Sequence, residues 1–477
     1  MTIAVTAKET LLGAGVTIAT TAVCFAFFVA VQVLSYWIPP DRAAAHLRQA
    51  FVDGDLQLAN SLPHDAVKGY HQRNDCLVFW MTIIRPEEIG EYLSAGQFVG
   101  DPSGRTTYCE VMRDHLLDDR LGTEDYGNYL RYLHGYRAVT VFALSVLDVP
   151  GMRLLYKGLC YALLLTSCLL ALRRLAPGRG PSDEMAQLRA SGGVALTVAF
   201  ALFYGLPYFG QSPSHAPLAW TIFAFLIFAT GRDLLAMGRV AYYAALSAFG
   251  AFVAFFEYLT GGAVIGLAML LGLLALQGER HTAPGPYVRR SVLGVFAYLG
   301  GIVLAFLFNL ALNFWHFGND ALIRFARALI TRMGTTTVTR TDGVVDGGQA
   351  KISGLDVAEA LVAKLDFLAG GNPVLAQLVF VACGFAIVGF AVVGLIHARS
   401  ATSVVRVALV VASVAMVLLW YAAFKNHSLI HAAFMVRVLV WIPAAALLMA
   451  VLAFEHLWGE RPAPAAPRRP LAARRRA

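Results

Sequence analysis

The sequence predicts an all-α polytopic membrane protein with about ten transmembrane helices, and three observations carry that reading. Hydrophobic residues make up 58% of the 477-residue chain and charged ones only 14%, with a mean hydropathy of +0.62, a balance foreign to soluble domains. Apolar runs recur along the chain, each about long enough for a hydrocarbon core near 30 Å. Arginine collects in alternate connections between those runs.

The first run, 11–37, is too long for the apolar core of a cleavable signal. Trp37-Ile38-Pro39-Pro40 ends it without a small-residue cleavage pattern, so residues 1–37 read as a retained first helix. Residues 38–151 are soluble-like and rich in Asp, His, Arg and Tyr. A helix over 41–51 follows the double proline, further helices are expected over 86–95 and 107–120, and Asp101-Pro102-Ser103-Gly104 marks a turn. The aromatic stretch 126–148 closes the loop, and its last part, 139–147, is too short to span and fits a helix lying in the interface.

Spans are then expected at 152–172, 192–209, 216–231, 240–256, 262–276 and 291–313, within a block 152–313. A second polar segment, 314–373, holds amphipathic helices over 320–332 and 355–368 around a Thr/Gly-rich stretch at 334–348. Spans at 374–396, 402–424 and 434–457 complete the block 374–457, and a basic tail occupies 458–477. No pair of matching broken helices marks two transporter-like halves.

With the N-terminus in the cytoplasm, the arginine groups at 173–189, 232–239, 280–290, 399–406 and 461–476 all fall inside. Both long segments then face the periplasm of a bacterial inner membrane, and both termini face the cytoplasm. The net charge of +8 is largely topological. The tail reads as an anchor at an anionic leaflet, not as a nucleic-acid arm. Of six cysteines, Cys24, Cys160, Cys168 and Cys383 lie in apolar runs. Cys76 and Cys109 lie in the first loop, where an oxidising compartment permits a disulfide. Two unrelated buried thiols remain the alternative, because sequence does not supply the Cα separation.

Ionisable residues at membrane depth are costly and point to function. The polar island 425–437 places His427 and His431 on one helical face, beside Asn426 and ahead of Arg437. The expected topology puts Asp41, Asp75, Arg131, His134, Arg137 and Glu257 on the same side of the membrane. Acids beside cations suit a reaction that takes a proton from a hydroxyl and stabilises a departing phosphate. Each residue also has a structural reading: Asp41 as a helix N-cap, Asp75 as a surface acid, His134 as interfacial packing and Glu257 as a partner of Arg131 or Arg437. The histidine pair could form half of a metal site, with no third ligand evident, and Arg324, Arg327 and Arg332 suit the outer leaflet.

Three strings carry a resemblance: Tyr129-x-Arg131-Tyr132-x-His134-Gly135-Tyr136, Phe256-Glu257-Tyr258-Leu259-Thr260, and Asn426-His427-Ser428-x-x-His431-x-x-Phe434-x-x-Arg437. With a first helix followed by a large external loop, they resemble an uncharacterised bacterial branch of the GT-C superfamily of membrane glycosyltransferases. The resemblance implies a polyprenyl-phosphate sugar as donor and a periplasmic glycan or lipid of the cell envelope as acceptor, with inversion at the anomeric carbon. It implies an aspartate base, Asp75 or Asp41. Asp41 is followed by Arg42 where the superfamily commonly has a second acid, so both stay candidates, with Asp75 preferred.

The same resemblance assigns the donor phosphate to His427, His431, Arg437, Arg131, His134 and Asn426, with Glu257 and Tyr258 in support. A divalent metal, required by some members, is not carried over, because no acidic pair has an evident ligand spacing; it stays an open point. Two alternatives remain: a polysaccharide polymerase or ligase using a lipid-diphosphate donor, and a proton-coupled lipid or solute transporter with Glu257 and the histidines as relay.

Overall fold

The structure, a computed structural model, describes residues 7–58, 72–99, 107–120, 126–130, 132–175, 184–257, 261–277, 283–332, 354–368, 372–398 and 400–458. Arg131, Tyr258, the turn at 101–104, the stretch 334–348 and the tail beyond 458 lie outside these residues.

Helix α1 (Ala7–Tyr36) ends just before Trp37, where the double proline removes the N–H donors that another turn would use. The first loop then builds a small domain from α2 (Asp41–Val52), α3 (Gln72–Ile83), α4 (Ile89–Ser94), α5 (Tyr108–Leu117) and α6 (Gly135–Leu144). The α2, α4 and α5 helices match expectation, but α3 does not: the segment around Asp75 is helical and buried, not a water-exposed loop. Two short antiparallel strands, β1 (Gly96–Phe98) and β2 (Gly127–Tyr129), pair with Gly96 opposite Tyr129, and this small two-stranded sheet is the one departure from the expected all-α class among the described residues. Thr107 and Glu110 start α5 with a reciprocal capping box.

The α6 helix corrects a second expectation. Tyr136, Arg137, Thr140, Val141 and Leu144 are all buried, so α6 is packed inside the domain and does not lie flat in the interface. Arg137 explains the difference. Its guanidinium donates to the carbonyls of Ala95 (2.7 Å) and Tyr92 (2.5 Å) and to Gln32 Oε1 (2.6 Å), and it stacks 3.6 Å over the Tyr92 ring. One side chain thereby ties α1, α4 and β1 to α6.

Cys76 on α3 and Cys109 on α5 are joined in a disulfide with Cα atoms 5.2 Å apart, closing the alternative of unrelated thiols. Cross-linking across a sequence separation of 33 residues stabilises by ~3–4 kcal/mol in the chain-entropy view. Thiol alkylation of the unfolded chain should therefore gain two sites after reduction, and the reduced protein should melt earlier; equal labelling with and without reductant would remove the bridge.

The bundle follows as α7 (Val149–Leu175), α8 (Glu184–Phe203), the short α9 (Leu206–Phe209), α10 (Ala216–Gly231), α11 (Arg239–Phe256), α12 (Gly262–Ala275) and α13 (Pro284–Phe317). After α14 (Asn319–Arg332) and α15 (Gly354–Val362) come α16 (Pro373–Ile396), α17 (Ala401–Ala423), α18 (Lys425–Ile430), α19 (Ala432–Met435) and α20 (Trp441–Trp458). Arg324 on α14 is spent on an exposed ion pair with Asp320 at 2.6 Å. A 3-10 turn at Val436–Val440 runs directly into α20, and Val436–Leu457 forms one candidate span, close to the expected 434–457.

Among the described residues seven helices are long and apolar enough to cross a membrane, and three more apolar helices, Gln187–Phe203, Ala216–Gly231 and Gly262–Ala275, are shorter. Leu11, Leu154, Phe296 and Phe385 on the outward faces of α1, α7, α13 and α16 are 66–76% exposed. Large apolar side chains displayed on long apolar helices face lipid, and the chain is a multi-pass membrane protein. The short α12 is the opposite case: nearly every residue is buried against other helices. At the bundle end opposite the loop domain, Arg406 grips Glu455 and donates to the Ala275 carbonyl, while Glu9 pairs with Arg289 at 3.0 Å.

Candidate active site at the loop-domain end of the bundle

Asp75 lies on α3, fully buried. Its Oδ1 accepts a hydrogen bond from the Ser212 hydroxyl at 2.6 Å. Since that hydroxyl donates to Asp75, the Ser214 hydroxyl 3.0 Å away donates to Ser212 in turn. The Arg153 guanidinium stands 3.8 Å from Oδ2 and is fixed by a 2.7 Å hydrogen bond to the Asp55 carbonyl. Oδ2 accepts no hydrogen bond from any described residue. Burial raises the carboxyl from its ordinary 3.8 to about 7, against the lowering pull of Arg153 and of the Ser212 hydroxyl.

Ser212 and Ser214 belong to the connection between α9 and α10, which ends at His215, the residue preceding α10. The His215 ring packs 5.4 Å from Phe209 and 5.5 Å from Phe434. Phe434 stacks on His431 at 4.8 Å, and the His431 and His427 rings are 4.5 Å apart. Arg437 is fully buried, with its guanidinium 5.5 Å from the Phe209 ring and 5.8 Å from Tyr204. Asn426 and His427 are also buried. Aromatic rings thus connect the Asp75 cluster to the polar island.

Glu257 joins the same end at the start of α12. Its Oε2 accepts from the Ala263 N–H at 2.9 Å, satisfying one of the free donors at the start of α12. Gly261 has φ +90° and approaches Val438 so closely that a Cβ would meet it at 2.2 Å. Only glycine lets position 261 seat beside the residue that follows Arg437.

The structure therefore brings Asp75, Asn426, His427, His431, Arg437 and Glu257 to one end of the bundle. Asp41 is separate. It is exposed in the first turn of α2 without a side-chain cap hydrogen bond, so it is not an N-cap. It lines a cavity of about 620 Å³ together with Trp80, Arg85 and Glu91. His134 departs further from expectation: buried, with φ +54°, it has Tyr136 Oη on Nδ1 and the Tyr129 carbonyl on Nε2, each at 2.7 Å. Burial, together with the charge on Arg137, pushes its pKa down to about 3, so it is neutral. The Nε2–H donates to Tyr129 and Nδ1 accepts from Tyr136. Both nitrogens of this neutral imidazole are engaged by protein groups.

Sequence reading missed Arg153, Ser212, Ser214 and His215. Signals for them existed. Gly210-Gln211-Ser212-Pro213-Ser214-His215 is a polar run filling the gap between two apolar runs, and Arg153 starts a span at the end opposite Arg173 and Arg174. Among the described residues no group of three or more His, Cys, Asp or Glu side chains could hold a metal ion. No protein-family model, curated protein or solved structure matches the chain.

Proposed function

We propose that the protein is a glycosyltransferase of GT-C type, transferring a sugar from a polyprenyl-phosphate donor to a glycan or lipid acceptor of the cell envelope. The observation that carries the reading is Asp75: a buried carboxyl with one oxygen held by Ser212 and the other facing Arg153 without a hydrogen bond, at the bundle end that also holds His427, His431 and Arg437. In this reading ten helices span the inner membrane, both termini are cytoplasmic, and the arginines at 174, 189, 289 and 406 mark the inner face.

Asp75 Oδ2 takes the proton of the acceptor hydroxyl. The hydroxyl oxygen attacks the anomeric carbon, the carbon–oxygen bond to phosphate breaks, and the anomeric centre inverts. Negative charge then gathers on the leaving lipid phosphate. Arg437, with the histidines beside it, meets that charge in surroundings from which water is excluded, where a fixed cation counts most. Arg153 and Ser212 hold the carboxylate in place before the proton moves.

Purified full-length protein incubated with radiolabelled polyprenyl-phosphate sugars should release label from the lipid. Arg437→Ala should lower that release by roughly 10²–10³-fold. Proton-driven movement of lipid or solute without any bond cleavage would replace this reading with the transporter, and turnover of lipid-diphosphate donors alone would replace it with the polymerase.

A further inference from the structure

A charged cluster lies at the bundle end opposite the loop domain, where α1 packs on α11 and α13, and no step of the transfer uses it. Glu9 on α1 is buried. Its Oε1 stands 3.6 Å from Arg239 Nε and its Oε2 3.0 Å from Arg289 Nη2, and the Tyr243 hydroxyl donates to Oε1 at 3.2 Å. Two guanidiniums thus share one carboxylate, and Lys8, the exposed residue before it, adds a third cation.

The other partly or fully buried arginines at this end are engaged differently. Arg174 donates to the carbonyls of Thr230 and Gly231, Arg189 to Asp233, Arg290 to the Met237 carbonyl and Arg406 to Glu455. Each has acceptors of its own. Arg239 and Arg289 have only Glu9 as an acidic partner among the described residues, and their side chains stay 59% and 25% exposed. Positive charge therefore exceeds negative charge at this point.

The cluster borders lipid. Arg289, Val292, Phe296 and Val303 follow one face of α13 at helical spacing, and the last three are 41–66% exposed. From Arg289 to Val303 that face runs ~21 Å at helical rise, longer than the ~15 Å that one leaflet contributes to the hydrocarbon core. Leu11 on α1 and Val240 on α11 are exposed beside it in sequence to Glu9 and Arg239. The boundary suits an anionic head joined to an acyl chain.

We propose that Arg239 and Arg289, oriented by Glu9, bind the phosphate of an anionic glycerophospholipid whose acyl chain lies on the face of α13 that carries Val292 and Phe296. A glycerol head leaves the phosphate with its full negative charge, whereas a choline head offsets it with its own ammonium, so the excess positive charge selects the first. Glu9 holds the two guanidiniums near each other and competes with the phosphate for them. The inference is independent of the chemistry at the other end of the bundle.

The test titrates the full-length protein in detergent micelles with dioleoyl phosphatidylglycerol or dioleoyl phosphatidylcholine and counts retained lipid by native mass spectrometry. Phosphatidylglycerol should be retained about tenfold better. Arg289→Gln should remove most of that preference, and Arg239→Gln, at a more exposed position, reads the same site if the first variant fails to fold. Arg232→Gln, at an exposed arginine not paired with Glu9, should leave the preference unchanged. Glu9→Gln should keep or raise it by removing the competing carboxylate. Equal retention of both lipids, or an equal loss in Arg232→Gln, overturns the proposal. So does a loss in Glu9→Gln with melting unchanged, which reduces the cluster to a tie between helices. Displacement of the lipid by inorganic phosphate at matched concentration overturns it in favour of a free-anion site.

Discussion

Asp75→Asn is expected to lower sugar release by roughly 10²–10⁴-fold, the range of a lost general base, while leaving expression and melting temperature near those of the parent. The amide keeps the size of the side chain and can still accept from Ser212, but it cannot take a proton. The pH profile gives a sharper test. With the carboxyl raised to about 7 by burial, release should climb as pH rises to 7 and level off above it, and the Asn variant should lose that rise. A variant as active as the parent at every pH would remove Asp75 from the site.

The same shift carries a stability consequence with a definite sign. Below the ordinary value of 3.8 both folded and unfolded chains keep the proton, so the carboxyl has no pH-dependent effect. Between 3.8 and about 7 the unfolded chain has released it and the folded chain has not, so stability falls as pH rises across that window. Above it the loss is complete and constant. Asp75→Asn should flatten this part of the stability profile, which melting in detergent from acidic to neutral pH would read directly.

Arg137→Ala should give the largest loss of stability, about 3–5 kcal/mol, because it strips charged donors from three buried acceptors at once. The carbonyls of Tyr92 and Ala95 and the amide oxygen of Gln32 would be left without the guanidinium that joins them, and the stacking on Tyr92 would be lost as well. Arg137→Lys should recover only part, since an ammonium keeps the charge but cannot fork between the two carbonyls and Gln32. Gln32→Leu, which removes one acceptor of Arg137 and the donor to the Leu133 carbonyl, should cost less than the Ala variant. Thermal melting in detergent orders the three variants, and an Ala variant that melts with the parent would show that Arg137 does not hold α6 to α1 and α4.

How much of the site is legible depends on whether its contacts are local. The His427–His431 pair is local, four residues apart on one helical turn, and its rings do meet. Asp75 with Ser212 is not: the partners are 137 residues apart, and nothing in either segment names the other. His134 and Arg437 illustrate the same limit from another side. Both are polar residues near apolar runs, yet only the structure shows that the first is held by Tyr136 and the Tyr129 carbonyl and that the second packs among aromatic rings. Residue type sets their charges, and packing sets their surroundings.

The sequence by itself determined the membrane class, nearly all of the apolar helices, the helices α2, α4 and α5 of the loop domain and the polar island, because hydropathy, helical period and proline stops act within a few turns of chain. Only the tertiary structure decided that Asp75 is buried on a helix with Ser212 and Arg153, that Cys76 and Cys109 join, that α6 is internal, and that Asp41 and His134 lie apart from the cluster. Those outcomes depend on which distant surfaces meet when helices pack, and that packing then sets each group's surroundings and partners.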